Sequence, residues 1–374
     1  MPSVLAPLAL LLSLAAGLLS PVHSSTPALA SRTAAAATTT DPTTYVNPLA
    51  GRPWGTYKGP QEMAWAPYVN ATGTKKQLLG YIALAPKAKW FGAWISNSQI
   101  SQRVTDYIKN AQAGDPDTLV QMSIFRMVPW EHDACSRLPT KAERHSYRTW
   151  INRFATAVGD TPTAIVLQPD GPFALCAPHG SLVPSHLVAY AAKVLSALSH
   201  TSVYIDAGAA DWPAPGGQGG VDSAVKILVD GGIQYAHGFS LDNTHYSSTV
   251  NEVARAAAIS QKLAALGYAD RRAVINTSSN GHPFEFGKYT GKDPDNANVC
   301  QSTTAALTTT CVTLGIPPTT RVGASAWGLP RATKRLARQY VDAYLWAGRP
   351  WLYRQNQPFV TSRALQLVRT TPFR

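Results

Sequence analysis

The sequence predicts an α/β fold: a distorted (β/α) barrel of about seven parallel strands in a single domain. Short apolar runs alternate with longer amphipathic stretches between residues 45 and 374, which is typical of βα units around a parallel sheet. A stretch of this length also suits an α/β barrel, which commonly has about 250 residues or more. Seven strand candidates separated by helical patterns favour a closed or nearly closed barrel over a doubly wound sheet.

The individual elements follow from this alternation of apolar runs and amphipathic stretches. The predicted strands are Leu78–Leu84, Leu119–Val128, Ala164–Leu167, Val203–Ile205, Gly238–Leu241, Ala273–Asn276 and Val322–Trp327. The predicted helices are Ile100–Ala113, Lys141–Val158, His186–Leu198, Val221–Val229, Val250–Leu266 and Lys334–Trp346. The glycine-rich stretch Gly216–Gly220 follows no strand at the spacing of a dinucleotide-binding motif, so we predict a loop there.

The first 44 residues are predicted to lie outside the folded domain. Val4–Ser20 is apolar and uncharged, which indicates a signal peptide of residues 1–24, or up to residue 30 if cleavage follows Ala30. The segment before it lacks Lys and Arg, so a mis-assigned start codon and an uncleaved membrane anchor stay open. Residues 25–44 are rich in Ser, Thr, Ala and Pro and are predicted to be a disordered linker. Export of the chain would make it secreted or associated with the cell wall.

Four cysteines remain in the exported part of the chain: Cys135, Cys176, Cys300 and Cys311. An even number in an oxidising compartment fits two disulfides. A bridge between Cys135 and Cys176 would tie together the loops that follow two predicted strands, and Cys300 would then pair with Cys311. The alternative is a zinc site, but no CxxC or HxxxH spacing is present, so we predict no metal and no cofactor.

Two acidic residues follow neighbouring strands of the predicted sheet. Gln168-Pro169-Asp170 directly follows the run Ala164–Leu167, and Asp133 follows the preceding strand. Because loops at the carboxyl ends of parallel strands build the sites of such folds, the two carboxyls could lie side by side. Cleavage of a glycosidic bond needs a proton donor and usually a second carboxylate, so the pair suggests carbohydrate chemistry. The alternative for Asp170 is a residue that only caps the turn after Pro169.

Aromatic and polar residues cluster just beyond other predicted strand ends. Sugar rings pack their C–H faces on indole, and their hydroxyls bond to Asp, Asn and His. Packing in the core is the alternative for any single Trp. The residues expected to contact a sugar on this basis are Trp90, Asp206, Trp212, His245 and Asn280.

The chain has 33 Lys and Arg against 21 Asp and Glu, an excess of +12. From Arg321 to the end there are ten basic residues, and Asp342 is the single acidic one. Export argues against nucleic acid as the partner of this basic surface, and attraction to an anionic wall or polysaccharide fits better. A solvated basic face without a partner is the remaining alternative.

Several motifs in order along the chain resemble family 6 of the glycoside hydrolases, the cellulases and cellobiohydrolases that cut β-1,4-glucan with inversion. The resemblance spans nearly all of residues 45–374. The matching segments are Asn47–Gly51, Trp90, Asp133 with Cys135, Gln168–Asp170, Val203–Gly208, Asn276–Gly281 and Leu345-Trp346. The resemblance implies a catalytic domain with Asp170 as the general acid, and we expect the protein to be a monomer. The resemblance also implies that Asp133 raises the pKa of that acid or helps to activate water, and that Trp346 contacts the glucan.

Departures from the family pattern fall on residues that this family uses to bind or hydrolyse glucan. Gln168 replaces a Glu, Ala209 stands where a His is usual, and Gly348, Leu352 and Arg354 occupy the positions of a Lys, a Glu and the Asp proposed as catalytic base. A guanidinium cannot accept a proton from water. Either another acid takes this proton, with Asp133 the nearest candidate, or the substrate differs from cellulose. A catalytically silent carbohydrate-binding protein and a wall protein with an unrelated partner are the other two hypotheses.

Overall fold

The computed structural model describes residues 45–214, 220–293, 295–353 and 358–374. The predicted signal peptide, the linker and the glycine-rich loop lie outside these residues, apart from Gly220. Within them, the chain forms one parallel sheet with strand order β1 to β7. The strands are β1 Lys89–Gly92, β2 Val120–Phe125, β3 Thr163–Leu167, β4 Thr201–Asp206, β5 Gly238–Leu241, β6 Arg272–Asn276 and β7 Val341–Leu345.

Helices connect the strands and cover the outer face of the sheet. They are α1 Trp65–Val69, α2 Gly73–Ala83, α3 Ile100–Gln112, α4 Lys141–Val158, α5 Val183–Leu195, α6 Gly220–Asp230, α7 Thr249–Ala265, α8 Arg331–Tyr340 and α9 Thr361–Thr370. No helix among the described residues is both long and apolar enough to cross a lipid bilayer. The predicted α/β architecture with seven parallel strands is confirmed.

The sheet curls until its two edge strands meet without pairing. The backbone N–H of Ala88, just before β1, donates to the carbonyl of Trp346 after β7 over 2.9 Å. The indole Nε1 of Trp90 donates to the carbonyl of Ala347 over 2.6 Å. These two bonds join the start of β1 to the segment after β7 and so link the two edges of the curled sheet.

Strands β2 to β7 are almost entirely buried on both faces, which explains their mainly apolar sequences. In β2, Val120, Met122 and Ile124 point outward into the main core under the helices. A smaller inner core fills the curl of the sheet. It consists of Leu49, Leu119, Ala164, Val166, Tyr204, Val274, Ala343 and Leu345.

Two of the seven predicted strands are wrong. Leu78–Leu84 lies almost entirely in α2, where Leu78, Leu79, Ile82 and Ala83 are buried on one helical face. An apolar run of this length fits a buried strand and a buried helix equally well. Val322–Trp327 is a loop that ends in a short 3-10 turn, Ser325–Trp327.

The two missed strands are β1 and β7. Strand β1 has only four residues and begins with Lys89 and Trp90, so its sequence carries little apolar signal. Strand β7 was predicted as the end of the helix Lys334–Trp346, but α8 stops at Tyr340 and Val341 is already extended, with φ −126° and ψ 127°. Because the sequence of α8 is basic and strongly amphipathic, we predicted that the helix continues beyond Tyr340 to Trp346.

Both predicted disulfides are present. The Cα atoms of Cys135 and Cys176 are 4.9 Å apart, and those of Cys300 and Cys311 are 5.0 Å apart. His282 lies close to the sulfur atoms of the second bridge. Because both cysteines there are oxidised, this group offers no thiolate for a metal.

Candidate active site

Asp170 stands on a sharp turn at the carboxyl end of β3. Gln168 and Asp170 both have left-handed backbones, with φ of 58° and 65°, on either side of Pro169. The next residue must be glycine, because a Cβ on Gly171 would lie 2.2 Å from the carbonyl oxygen of Asp206. The turn is therefore pressed against the end of β4, and strained turns of this kind concentrate at functional sites.

The environment of the Asp170 carboxyl favours its protonated form. Burial raises its pKa, and a 2.8 Å hydrogen bond from Thr244 Oγ1 to Asp170 Oδ1 and the nearby His245 partly oppose this effect. A carboxyl that keeps its proton to higher pH is what general acid catalysis near neutrality requires.

Asp206 lies beneath Asp170 and is almost completely buried. Its carboxylate accepts hydrogen bonds from Gly171 N at 2.8 Å, Gly208 N at 3.0 Å and Asn243 Nδ2 at 2.5 Å. Burial raises the pKa of Asp206 to about 7, against the effect of these bonds, and the charge of Asp170 raises it further. The sequence predicted Asp206 as a sugar contact. In the structure its carboxyl holds the turn that carries Asp170.

Two more buried carboxyls lie at the end of β5 and the start of α7. Burial and then the charge of Glu252 raise the pKa of Asp242 well above its usual range, and burial raises the pKa of Glu252 to about 8. Asn280 Nδ2 donates to Asp242 Oδ2 over 3.3 Å and to the carbonyl of Ser247 over 3.0 Å. The predicted sugar contact Asn280 is thus buried and supports Asp242.

An aromatic row is formed by residues that follow strands β3, β4, β5 and β6. His245 is stacked between Trp212 and Phe286, with ring centroids 5.0 Å and 4.5 Å apart, and its Nδ1 is 2.8 Å from Asp211 Oδ1. Phe173 packs edge-on against Trp212 at 5.4 Å. Phe286 is 53% exposed, so the row ends in an aromatic face open to solvent. Such a face can support a sugar ring.

Trp212 and His245 of this row were predicted from the sequence as sugar contacts, but their neighbours Phe173, Phe286 and Asp211 were not. Phe173 follows Asp170 by three residues, and Phe286 lies in a long loop beyond β6, with no strand end near it to mark it. Asp211 also binds Phe286 N over 2.9 Å. Although burial opposes it, hydrogen bonding by His245 and Phe286 N lowers the pKa of Asp211.

Asp133 lies in a more open position than Asp170. Its side chain is 52% exposed, and its Oδ2 is 3.4 Å from Nε of Arg137. The groups that shift the pKa of Asp170 are its own burial, Thr244 and His245, and Asp133 is not among them. The Cys135–Cys176 bridge does join the two loops that carry Asp133 and Asp170.

Trp90 and Trp346 lie at the meeting edges of the sheet. Trp90 is half-buried and lines a cavity where β1 meets the segment after β7. Trp346 is only 1% exposed and its Nε1 donates to the carbonyl of Ile316 over 3.0 Å. Trp346 therefore packs in the core beside Tyr81 and Trp351. It also lines the same cavity as Trp90.

Residues 55–350 match the model described as glycosyl hydrolases family 6. The chain belongs to glycosyl hydrolase family 6.

Individual relatives agree with this membership. Endoglucanase A of Cellulomonas fimi is 33% identical over 230 residues, which cover 61% of this chain and 47% of that protein. Endoglucanase 1 of Streptomyces halstedii is 29% identical over 256 residues, or 65% of this chain and 72% of that protein. The family-6 chain therefore spans about half the length of the first of these relatives.

Solved structures show the same architecture. The endoglucanase Cel6 from Mycobacterium tuberculosis, in complex with methyl-cellobiosyl-4-deoxy-4-thio-β-D-cellobioside, has a TM-score of 0.64 at 25% identity, covering 86% of this chain and 98% of that one. The catalytic core of the cellobiohydrolase Cel6A from Chaetomium thermophilum has a TM-score of 0.58 at 17% identity, with coverage of 86% and 98%.

Of the three positions after β7 that depart from the family pattern, the structure describes Gly348 and Leu352. A Cβ on Gly348 would lie 2.4 Å from Ser278 Oγ, so any side chain there requires Ser278 to move. Leu352 is 1% exposed and packs in the core. Arg354, which stands at the position of the proposed base, lies outside the described residues.

The buried carboxyls predict how stability depends on pH. The folded-state pKa is raised for Asp206, to about 7, and for Glu252, to about 8, so each contributes stability that is complete below about pH 4 and is lost as pH rises through the raised value. We expect the free energy of unfolding in urea to fall by several kcal/mol between pH 5 and pH 9, in the sense set by these two groups. Unchanged or rising stability over that interval would contradict the assignment.

Proposed function

We propose that this family-6 protein is a secreted glycoside hydrolase that cleaves a β-1,4-glucan or a related polysaccharide with inversion. Asp170 is the general acid. The observation that carries this proposal is the turn after β3, where a buried carboxyl with a raised pKa lies near His245 of an aromatic row. Family membership and the endoglucanases among its relatives agree with it.

In the proposed mechanism, Asp170 donates its proton to the glycosidic oxygen as the bond to the anomeric carbon breaks. Thr244 fixes Oδ1 through its hydrogen bond, so the proton lies on the other oxygen. Asp206 anchors Gly171 N and thereby the turn that aims Asp170. In inversion, a water molecule attacks the anomeric carbon from the opposite face and gives up its proton to a base.

We propose Asp133, acting through a second water molecule, as the group that takes this proton. Its carboxylate is half-exposed, so a second water molecule has room to connect it to the attacking water, whereas a guanidinium at position 354 cannot accept a proton. The Asp133→Asn variant should then lose activity even on a chromogenic glycoside that needs little acid assistance. If Arg354→Asp raises activity on cello-oligosaccharides instead, position 354 is the better place for the base.

The alternative function is a catalytically silent carbohydrate-binding protein of the same fold, because the usual base is replaced. Release of reducing sugar from a panel of glucans separates the two functions. Turnover by the wild type that is lost in Asp170→Asn supports the hydrolase, and saturable binding without turnover supports the binding protein. Release of sugar that is equal in the two proteins would exclude Asp170 as the acid.

We further propose that the exported domain attaches to a wall polymer that carries phosphate groups. Four basic residues share one face of α8: Arg331, Lys334, Arg335 and Arg338. Asp342, the single acid in this part of the sequence, is fully buried and accepts hydrogen bonds from Tyr45 and Tyr204. The basic face therefore has no neutralising acid from its own segment, which favours an anionic partner.

Retention on purified phosphate-bearing wall polymer tests this attachment. The variant with Arg331, Lys334 and Arg335 changed to Gln should bind at least about tenfold more weakly, because a basic residue near an anionic surface contributes roughly 1 kcal/mol. The control removes three exposed lysines on other helices: Lys75, Lys109 and Lys141. Equal losses in both variants would show that net charge alone acts. Preference for nucleic acid over the polymer would reject the proposed partner.

A further inference from the structure

A cationic cavity lies beside Trp90, where β1 and the end of β7 meet. Its volume is about 70 Å³, and the charged residues that line it are Glu62, Lys87, Lys89 and Arg349. Three cations thus face one carboxylate in a space that adjoins a candidate sugar-stacking surface. The family motifs assign no function to these four charged residues.

Glu62 and Lys87 satisfy each other and their own backbone neighbours. Glu62 Oε2 is 3.6 Å from Lys87 Nζ, and Glu62 Oε1 accepts from Ala64 N at 3.1 Å. Lys87 Nζ also donates to the carbonyls of Ile82 and Ala85, at 2.6 Å and 3.1 Å. This pair is a structural element of the cavity wall, and its net charge is zero.

Lys89 and Arg349 are the two cations that remain. Lys89 Nζ donates to the carbonyl of Gln61 at 3.1 Å. Neither Lys89 nor Arg349 has an ion pair within 4.0 Å among the described residues. Arg349 Nε is buried and has no hydrogen-bond partner in the described part of the chain. Burial lowers the pKa of both groups, and Glu62 opposes the shift. Two half-buried cations that share the charge of Glu62 and make no ion pair of their own favour the binding of an anion in this cavity.

We propose that this cavity binds a carboxylate carried by the sugar that packs on Trp90, so that the substrate is a β-1,4-linked glycan containing acidic sugar units. The planar guanidinium of Arg349 matches a carboxylate with two parallel hydrogen bonds, and Lys89 adds a second charge. A neutral sugar in the same place would cover both cations and leave them unpaired, which is unfavourable. This inference rests on the proposed function for the position of the glycan, and it specifies the substrate class.

Binding to the Asp170→Asn protein tests the inference without turnover. Calorimetry compares cellotetraose with the same oligosaccharide oxidised to carboxylates at C6. A charge-assisted hydrogen bond contributes about 1.5–3 kcal/mol, so the acidic oligosaccharide should bind roughly ten- to hundredfold more tightly. Free acetate at the same carboxylate concentration should compete weakly, because it lacks the ring that packs on Trp90.

Variants in the cavity should change this preference in opposite directions. Arg349→Gln and Lys89→Met should each remove most of it, with cellotetraose affinity unchanged or raised because one unpaired cation is gone, and Glu62→Gln should increase it by removing the single negative charge. Lys141→Gln is the matched control, since Lys141 is exposed in the first turn of α4. If Arg349→Gln does not fold, Lys89→Met answers the same question.

The outcomes separate this inference from the proposed function. Selective binding of the acidic oligosaccharide by a protein that hydrolyses nothing would keep the cavity assignment and reject the hydrolase. Hydrolysis of neutral and acidic oligosaccharides with equal affinity would keep the hydrolase and overturn the cavity assignment. A preference that survives in both Arg349→Gln and Lys89→Met would also overturn it.

Discussion

Replacement of Asp170 by asparagine is expected to lower the turnover of unactivated β-1,4-glucan oligosaccharides by about 10² to 10⁴-fold, the usual contribution of general acid catalysis. Asparagine keeps the size of the side chain and can still accept the hydrogen bond from Thr244. It has no acidic proton to donate. The loss should therefore be in kcat and should be much smaller on aryl glycosides, whose leaving groups need little protonation.

Steady-state kinetics on a series of leaving groups measures this difference. Asp117→Asn is the control, because Asp117 is an exposed surface acid paired with Arg52 at 3.2 Å. A loss that is equal on good and poor leaving groups would indicate a disturbed turn in place of a missing acid. Undiminished hydrolysis by Asp170→Asn would move the acid elsewhere, with Asp133 the first candidate.

Replacement of Asp206 by alanine should destabilise the domain by about 3 kcal/mol or more and abolish the activity. The substitution leaves three buried donors without an acceptor, namely Gly171 N, Gly208 N and Asn243 Nδ2. Each unsatisfied buried donor costs roughly 1–3 kcal/mol, while removal of the buried carboxyl itself returns part of this. Urea unfolding at pH 5 measures the change, and Asp117→Ala should stay within about 1 kcal/mol of the wild type.

The Asp206→Asn variant tests whether the hydrogen bonds of Asp206 account for this loss. Its Oδ1 can still accept from Gly171 and Gly208, and Asn243 can turn its amide, because Asn243 Oδ1 is buried and has no other partner among the described residues. We expect a milder loss than with alanine, and a smaller fall of stability between pH 5 and pH 9 because one raised pKa is gone. An Asp206→Asn protein as unstable as Asp206→Ala would contradict the hydrogen-bonding role.

The sequence was sufficient for strands β2 to β6 and for the position of Asp170 after β3, since these depend on local patterns. Helix α4 was predicted at its true bounds from its amphipathic pattern, and in the structure a capping box between Thr140 and Glu143 fixes its start. Strand β7 was missed because helical periodicity continues up to Tyr340 and only the pairing with β6 makes the following residues a strand. Pairing between distant segments is not encoded in a local pattern.

The surroundings of Asp170 were harder to predict for the same reason. Glu252 has the sequence position of an ordinary acid in the first turn of a helix, yet the fold buries it against Ala210 N, 2.6 Å away. Asp133 carries a family motif, but its carboxylate faces Arg137 in the open part of its loop. Lys89 and Arg349 are far apart in sequence, and only the meeting of β1 with the end of β7 brings them into one cavity.

The most direct test of the central claim is the anomeric configuration of the first product, followed by proton NMR as the wild-type protein acts on cellopentaose and on its C6-carboxylated form. An inverting enzyme acting on a β-linkage releases the α-anomer, which then mutarotates. We predict that α-anomer signals rise first and that Asp170→Asn suppresses them. First release of the β-anomer, or no release from either oligosaccharide, would contradict the assignment of this protein as an inverting glycosidase.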